Sequence, residues 1–269
     1  MSAFLNHFSY EFKSGIRNRS LLLLNYLFPL GFYAMMGLVM TAINPGFRTT
    51  MTPAMVLFAI MASTLLGLPN PLVESRLAGI YRSYKINGVP AISILTIPML
   101  TTVVHALIAS AIIALTSAPL FDGAAPANWL NFALVTLAAA FTCGSLGALI
   151  GVISRDTRSV VLWSQLIFLP SMLIGGLMVP LDILPEFIRP FSMLLPTTQA
   201  MQAYTGLAYN LSTVFDPLLS LVVLLASGLL AFLLAIYLFS WDTQNSTRRG
   251  SPLLALLVLA PAVLAIFLV

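Results

Sequence analysis

The sequence predicts an all-α integral membrane protein. It has six transmembrane helices behind an N-terminal amphipathic helix, an outer re-entrant helical segment, and a seventh span at the C-terminus. Three observations predict it. Only 7% of the 269 residues are charged while 59% are hydrophobic, against about 25% charged in soluble domains, so lipid must cover much of the surface. The apolar runs are long and unalternated, which fits helices that satisfy their own backbone and not barrel strands. The basic residues fall in alternate loops, as the positive-inside rule requires of a multi-pass protein.

Each element follows in order. Residues 1–19 place Phe4, Phe8, Phe12 and Ile16 at four-residue spacing, with Lys13 and Arg17 on another face; this is an amphipathic helix suited to the membrane interface. Apolar spans are expected at 20–43, 53–73, 91–115, 129–153, 159–179 and 217–240, each long enough to cross a core of about 30 Å. Residues 241–269 form a linker and a further stretch, 252–269, that contains no charged residue. It should cross once more and leave the C-terminus outside, with Pro261 kinking the helix.

Lys13, Arg17, Arg19, Arg76, Arg82, Lys85, Arg155, Arg158, Arg248 and Arg249 share one side of this arrangement with four acids. The other side holds Arg48 and Arg189 against Asp122, Asp182, Glu186 and Asp216. The asymmetry puts the N-terminus in the cytoplasm, and it accounts for the net charge of +4 without any nucleic-acid partner. The short loops favour a plasma membrane of bacterial type.

Catalytic signatures are missing. No Gly-x-x-x-x-Gly-Lys-[Ser/Thr] loop accompanies either lysine, Lys13 or Lys85, so the chain has no phosphate-binding site of that kind. His7 and His105 are far apart, and no His-Glu-x-x-His pattern occurs. Cys143-Gly144-Ser145-Leu146-Gly147 lacks the first glycine of a nucleophile elbow; Gly147 and Gly151 instead have small-xxx-small spacing, suited to close helix packing. No acidic neighbour lies mid-span to make His105 a proton relay, so a hydrogen bond to an adjacent helix is the expectation.

Two stretches are unusual. Residues 74–90 are polar and mixed in charge. Leu77, Ile80, Tyr81 and Tyr84 recur at helical spacing before Asn87-Gly88, which predicts a short helix with an apolar face and basic neighbours. Residues 175–196 stay apolar but carry Pro180, Pro185, Pro190 and Pro196. Their composition predicts short helices, 178–196, dipping into the outer leaflet under protein cover.

Together these stretches resemble the permeases of ATP-binding cassette (ABC) exporters of the type-2 class. The resemblance rests on Glu74-Ser75-Arg76-Leu77-Ala78-Gly79 and Gly88-Val89-Pro90 after the second span. It rests also on Gly176, Pro180, Leu184-Pro185 and Leu195-Pro196-Thr197 after the fifth. It covers residues 1–240 and implies a pore-forming subunit that pairs with a second permease copy or paralogue. Separate ABC ATPase subunits would bind ATP and Mg²⁺, and no cofactor would sit on this chain. Glu74, Arg76, Leu77, Gly79, Tyr81, Arg82, Tyr84 and Lys85 would couple to those ATPases. Gly176, Pro180, Asp182, Pro185, Glu186 and Pro196 would build the outer re-entrant segment. The cargo implied is amphiphilic, drug-like or lipid-like. An ion-coupled secondary transporter and a non-transporting membrane anchor are the alternatives.

Overall fold

A computed structural model describes residues 2–242 and 250–267. The described residues are helical, without strands. Arg248 and Arg249, counted above with the basic side, lie outside the described residues, as does the C-terminal Val269.

Helix α1, Ser2–Arg17, precedes α2, Arg19–Ile43. The Asn18 side chain caps the join by accepting from Ser20 N at 2.9 Å, which satisfies an amide that the first turn leaves open. Next come α3, Met51–Leu77; the short α4, Ile80–Ile86; α5, Ala91–Phe121; α6, Trp129–Ile153; and α7, Thr157–Ile174. Asp156 caps α7 through Ser159 N at 2.7 Å, and that bond, with one from the Ser159 hydroxyl, holds its carboxyl below the ordinary range. After α7 lie α8, Arg189–Met193, and α9, Pro196–Ala203, then α10, Pro217–Leu238, and α11, Pro252–Ile266. Six of these, α2, α3, α5, α6, α7 and α10, are long and apolar enough to cross a membrane. The shortest, 18 residues, reaches about 27 Å.

Helix α3 is the axis of the bundle. Every residue from Met51 to Met61 is buried, because α2, α5, α6 and α7 surround it. Close approach between α3 and α6 comes from Gly147 and Gly151. A Cβ on Gly147 would stand 2.2 Å from the Thr64 carbonyl oxygen, and one on Gly151 would stand 2.9 Å from Leu72 Cδ1. The small-xxx-small reading of these two glycines is thereby explained by contact, while Gly144 faces Val103 and Met99 of α5.

Several boundaries differ from the sequence reading. Helix α3 runs past Val73 and carries Glu74 and Arg76 on its last turn, since the polar residues there are good helix formers. Helix α5 extends through Pro119 to Phe121. Wide π-turns interrupt α2 at Leu23–Leu27 and α3 at Ala62–Gly67. Such turns free backbone carbonyls, and in α3 the Ser164 hydroxyl of α7 donates to Leu65 O at 2.6 Å.

The C-terminal stretch lies antiparallel to α10. Gly250 sits against Tyr237 and Leu238 at one end, and Ala262 and Ala265 pack with Val223, Leu194 and Leu219 at the other. Its first eight residues, Pro252–Leu259, form a 3₁₀ helix, and the remaining seven, Ala260–Ile266, an α-helix. The slimmer 3₁₀ turns rise about 2.0 Å per residue, so fifteen residues reach about 26 Å and not the ~22 Å of an uninterrupted α-helix. Pro261 falls in the first turn of the α part, where its missing N–H costs no bond. The expected kink at Pro261 is therefore replaced by a change of helix type.

Candidate functional site

The basic end of the bundle carries the stretch 74–90. It is not one helix. Gly79 adopts a left-handed conformation, φ +74°, which breaks the chain between α3 and α4 and suits glycine. Arg76, only 4% exposed, turns inward from the last turn of α3. Its guanidinium donates to Val152 O at 2.8 Å and to Ser154 O. These carbonyls end α6 and lack helical partners, and a cation there also meets the negative end of the helix dipole.

Tyr81 and Tyr84, expected on one apolar face with Leu77 and Ile80, are the two that contact the rest of the bundle. Tyr81 is buried against Phe239 at 5.7 Å between ring centres, and Tyr84 meets His7 of α1 edge-on at 5.9 Å. Burial pushes the Tyr81 hydroxyl above the ordinary phenol range although Arg76 opposes it; the Tyr84 hydroxyl is raised by burial and then by Glu11. Leu77, Ile80 and Ile86 are left 50%, 43% and 80% exposed. Glu74 and Lys85 are exposed beside them. Arg82 is ion-paired with Asp242, beyond the end of α10. The result is a short apolar platform with charged edges, fixed behind to α6, α10 and α1.

Helix α1 is itself fixed by His105. The imidazole stacks on Phe12 at 4.3 Å, and its Nε2 lies 3.2 Å from the Phe12 carbonyl. Its Nδ1 lies 2.7 Å from the Tyr26 hydroxyl. His105 thus ties α1 and α2 to α5, in line with the structural role expected of it. Gly15 permits the approach, since a Cβ there would fall 2.6 Å from Nε2.

The opposite, acidic end holds the proline-rich stretch. The expected pair of short helices before Pro196 is displaced along the chain. A single 3₁₀ turn spans Leu181–Ile183, α8 follows, and the helix that drops back among the spans, α9, begins at Pro196. Prolines 190 and 196 start helices, where a missing N–H is tolerated, so they mark beginnings and not interruptions. Gly176 is buried with φ +88°, reversing the chain after α7. Pro180, Asp182, Pro185 and Glu186 are exposed, and Pro196 is half-buried. Residues Thr197–Ala203 are buried among α3, α6, α7 and α10.

Two residues of this end carried no weight in the sequence reading. Gln199 donates to Met193 O at 2.6 Å, and Gln202 accepts from Val214 N at 2.8 Å and Phe215 N at 3.0 Å. Two glutamines three residues apart, between the apolar runs before and after them, were the available signal. Among the described residues, no group of three or more His, Cys, Asp or Glu is placed to hold a metal ion.

Comparison with known proteins agrees with this architecture. Residues 3–209 match the family model described as "ABC-2 type transporter". Among curated proteins, "Putative transport permease YvfS" of Bacillus subtilis (strain 168) is 25% identical over 191 residues, covering 70% of this chain and 78% of its own length. This is a similarity to a named transport permease, and the family match extends from α1 through the proline-rich stretch.

Proposed function

The chain belongs to the ABC-2 type transporter family, and on that premise we propose that it is the membrane-spanning permease subunit of an ABC exporter. In this reading the basic end faces the cytoplasm of a bacterial-type cell and the acidic end faces outside. A separate ATPase subunit binds ATP and Mg²⁺ and docks on the platform of Leu77, Ile80 and Ile86. A second permease copy or paralogue completes the pore. The cargo is an amphiphile taken from the cytoplasm or inner leaflet.

The observation that carries this reading is the inside-out construction of the 74–90 loop. Its tyrosines are spent on internal packing while its aliphatic residues stay exposed. Exposed aliphatics on a short helix braced from behind suit a protein contact. The brace matters as much as the face. Arg76 ties the loop to α6, Tyr81 ties it to Phe239 at the end of α10, and Tyr84 ties it to α1, so a push on α4 would reach three helices together.

Ile80→Glu combined with Ile86→Glu tests the platform directly. Both side chains are exposed, so insertion and folding should be unchanged. Transport-coupled ATP hydrolysis by the reconstituted permease and its ATPase should fall at least about tenfold, as expected when a contact worth ~1.4 kcal/mol or more is lost. Hydrolysis and transport both at the wild-type level would show that nothing couples through this face.

A further inference from the structure

We propose that the acidic end carries a binding site for an organic cation, built by the return from α9 and separate from the coupling platform. A cavity of about 250 Å³ opens there. Its polar lining is Thr50, Asp182, Gln202, Thr205, Ser212 and Thr213, and among the described residues no Lys, Arg or His borders it.

The base of the cavity is organised. Gln202 is 5% exposed, and its amide oxygen is fixed by the backbone amides of Val214 and Phe215. Those two bonds settle which way the amide points. They leave the NH₂ group as the donor for whatever enters, with no partner for it among the described residues. That NH₂ can donate to a ligand oxygen in the cavity.

The mouth has the opposite character. Asp182 is exposed and brings the one formal charge in the lining. Arg189, its nearest basic neighbour in sequence, spends its guanidinium on the Asp182 and Leu184 backbone carbonyls, at 2.9 and 3.2 Å, and makes no ion pair with the carboxylate. Hydroxyls of Thr205, Ser212 and Thr213 supply further acceptors beside it. Among the described residues no basic side chain lines the cavity, so phosphates and carboxylates find no charged donor inside it. A bare metal ion would find one carboxylate in a space far larger than a coordination shell. The complementary ligand is an ammonium group that sits toward Asp182 and carries an oxygen acceptor reaching Gln202. The site depends on the fold of the acidic end and not on the presence of an ATPase.

Charge-selective labelling of the full-length purified protein tests this. Ser212 is exposed at the cavity and is replaced by cysteine; the native Cys143 is buried and provides the unlabelled control. A methanethiosulfonate bearing trimethylammonium should modify Ser212→Cys about tenfold faster than the sulfonate-bearing reagent, as one screened carboxylate at short range allows. Adding Asp182→Asn should bring the two rates together. Acetylcholine, whose ester carbonyl can accept from Gln202, should protect the thiol at several-fold lower concentration than butyltrimethylammonium, which has no acceptor. Equal rates in the Ser212→Cys protein, or a cation preference that survives Asp182→Asn, would overturn the assignment. Equal protection by the two ammonium compounds would overturn the role given to Gln202.

Discussion

Arg76→Met is expected to lower the stability of the permease by about 3–5 kcal/mol, since two hydrogen bonds from a charged donor are lost, each worth about 1.5–3 kcal/mol. The guanidinium is 4% exposed and holds the carbonyls of Val152 and Ser154. Methionine fills much of the same space but leaves both carbonyls without that donor, and an unsatisfied buried polar group costs about 1–3 kcal/mol. The favourable charge at the α6 C-terminus is lost as well. Lysine restores the charge but not the two-pronged geometry, so Arg76→Lys should recover part of the loss. Thermal unfolding in detergent measures both variants. Wild-type unfolding of Arg76→Met would contradict the clamp. Arg76 therefore acts on the loop from behind. Its reversal would test packing, whereas substitutions at Ile80 and Ile86 test contact with a partner.

Gly147→Leu is expected to prevent folded protein from accumulating. The first added carbon would lie 2.2 Å from the Thr64 carbonyl oxygen, and that oxygen belongs to the backbone of a π-turn and cannot rotate away. Helices α3 and α6 would have to separate, and α3 is the most deeply buried helix of the bundle. Even Gly147→Ala should cost about 1–3 kcal/mol, typical of overpacking. Gly31 of α2 supplies the control, since nothing lies within 4 Å of a Cβ added there. Gly31→Ala should leave stability unchanged or slightly raised through better helix propensity. Size-exclusion profiles in detergent separate the cases, and a monodisperse Gly147→Leu protein would refute the contact.

The spans were legible because their cause is one-dimensional. A run without charge must lie in lipid or in the core, and the alternation of Arg and Lys between loops fixes the register. Gly147 and Gly151 were legible for a similar reason, since their spacing alone puts them on one helix face. The loop at 74–90 was legible only as a helix with apolar residues. Periodicity places Leu77, Ile80, Tyr81 and Tyr84 near one another, but which of them meets the bundle depends on Phe239 and His7, which are distant in sequence. Arg76 was legible only as one of the basic residues of its side, because the α6 carbonyls that receive it carry no side-chain signature. The 3₁₀ form of Pro252–Leu259 was hidden for another reason: the length it gains is set by the α10 surface it follows, and its composition suits an α-helix equally well. The prolines of 175–196 were visible, yet a proline at a helix start and one at a break look the same until the neighbouring turn is known.

In the proposed function, α4 is the contact through which a separate ATPase drives this permease. Ile86 is its most exposed apolar residue, 80% accessible at the end of the helix. An Ile86→Cys permease should therefore cross-link, through a short thiol-reactive bridge, to an ATPase subunit co-expressed with it, and the yield should change when ATP is added. A cysteine at Ile183, exposed at the opposite end of the bundle, should give no such product. Cross-linking at Ile183 and none at Ile86 would place the partner on the wrong face and contradict the account.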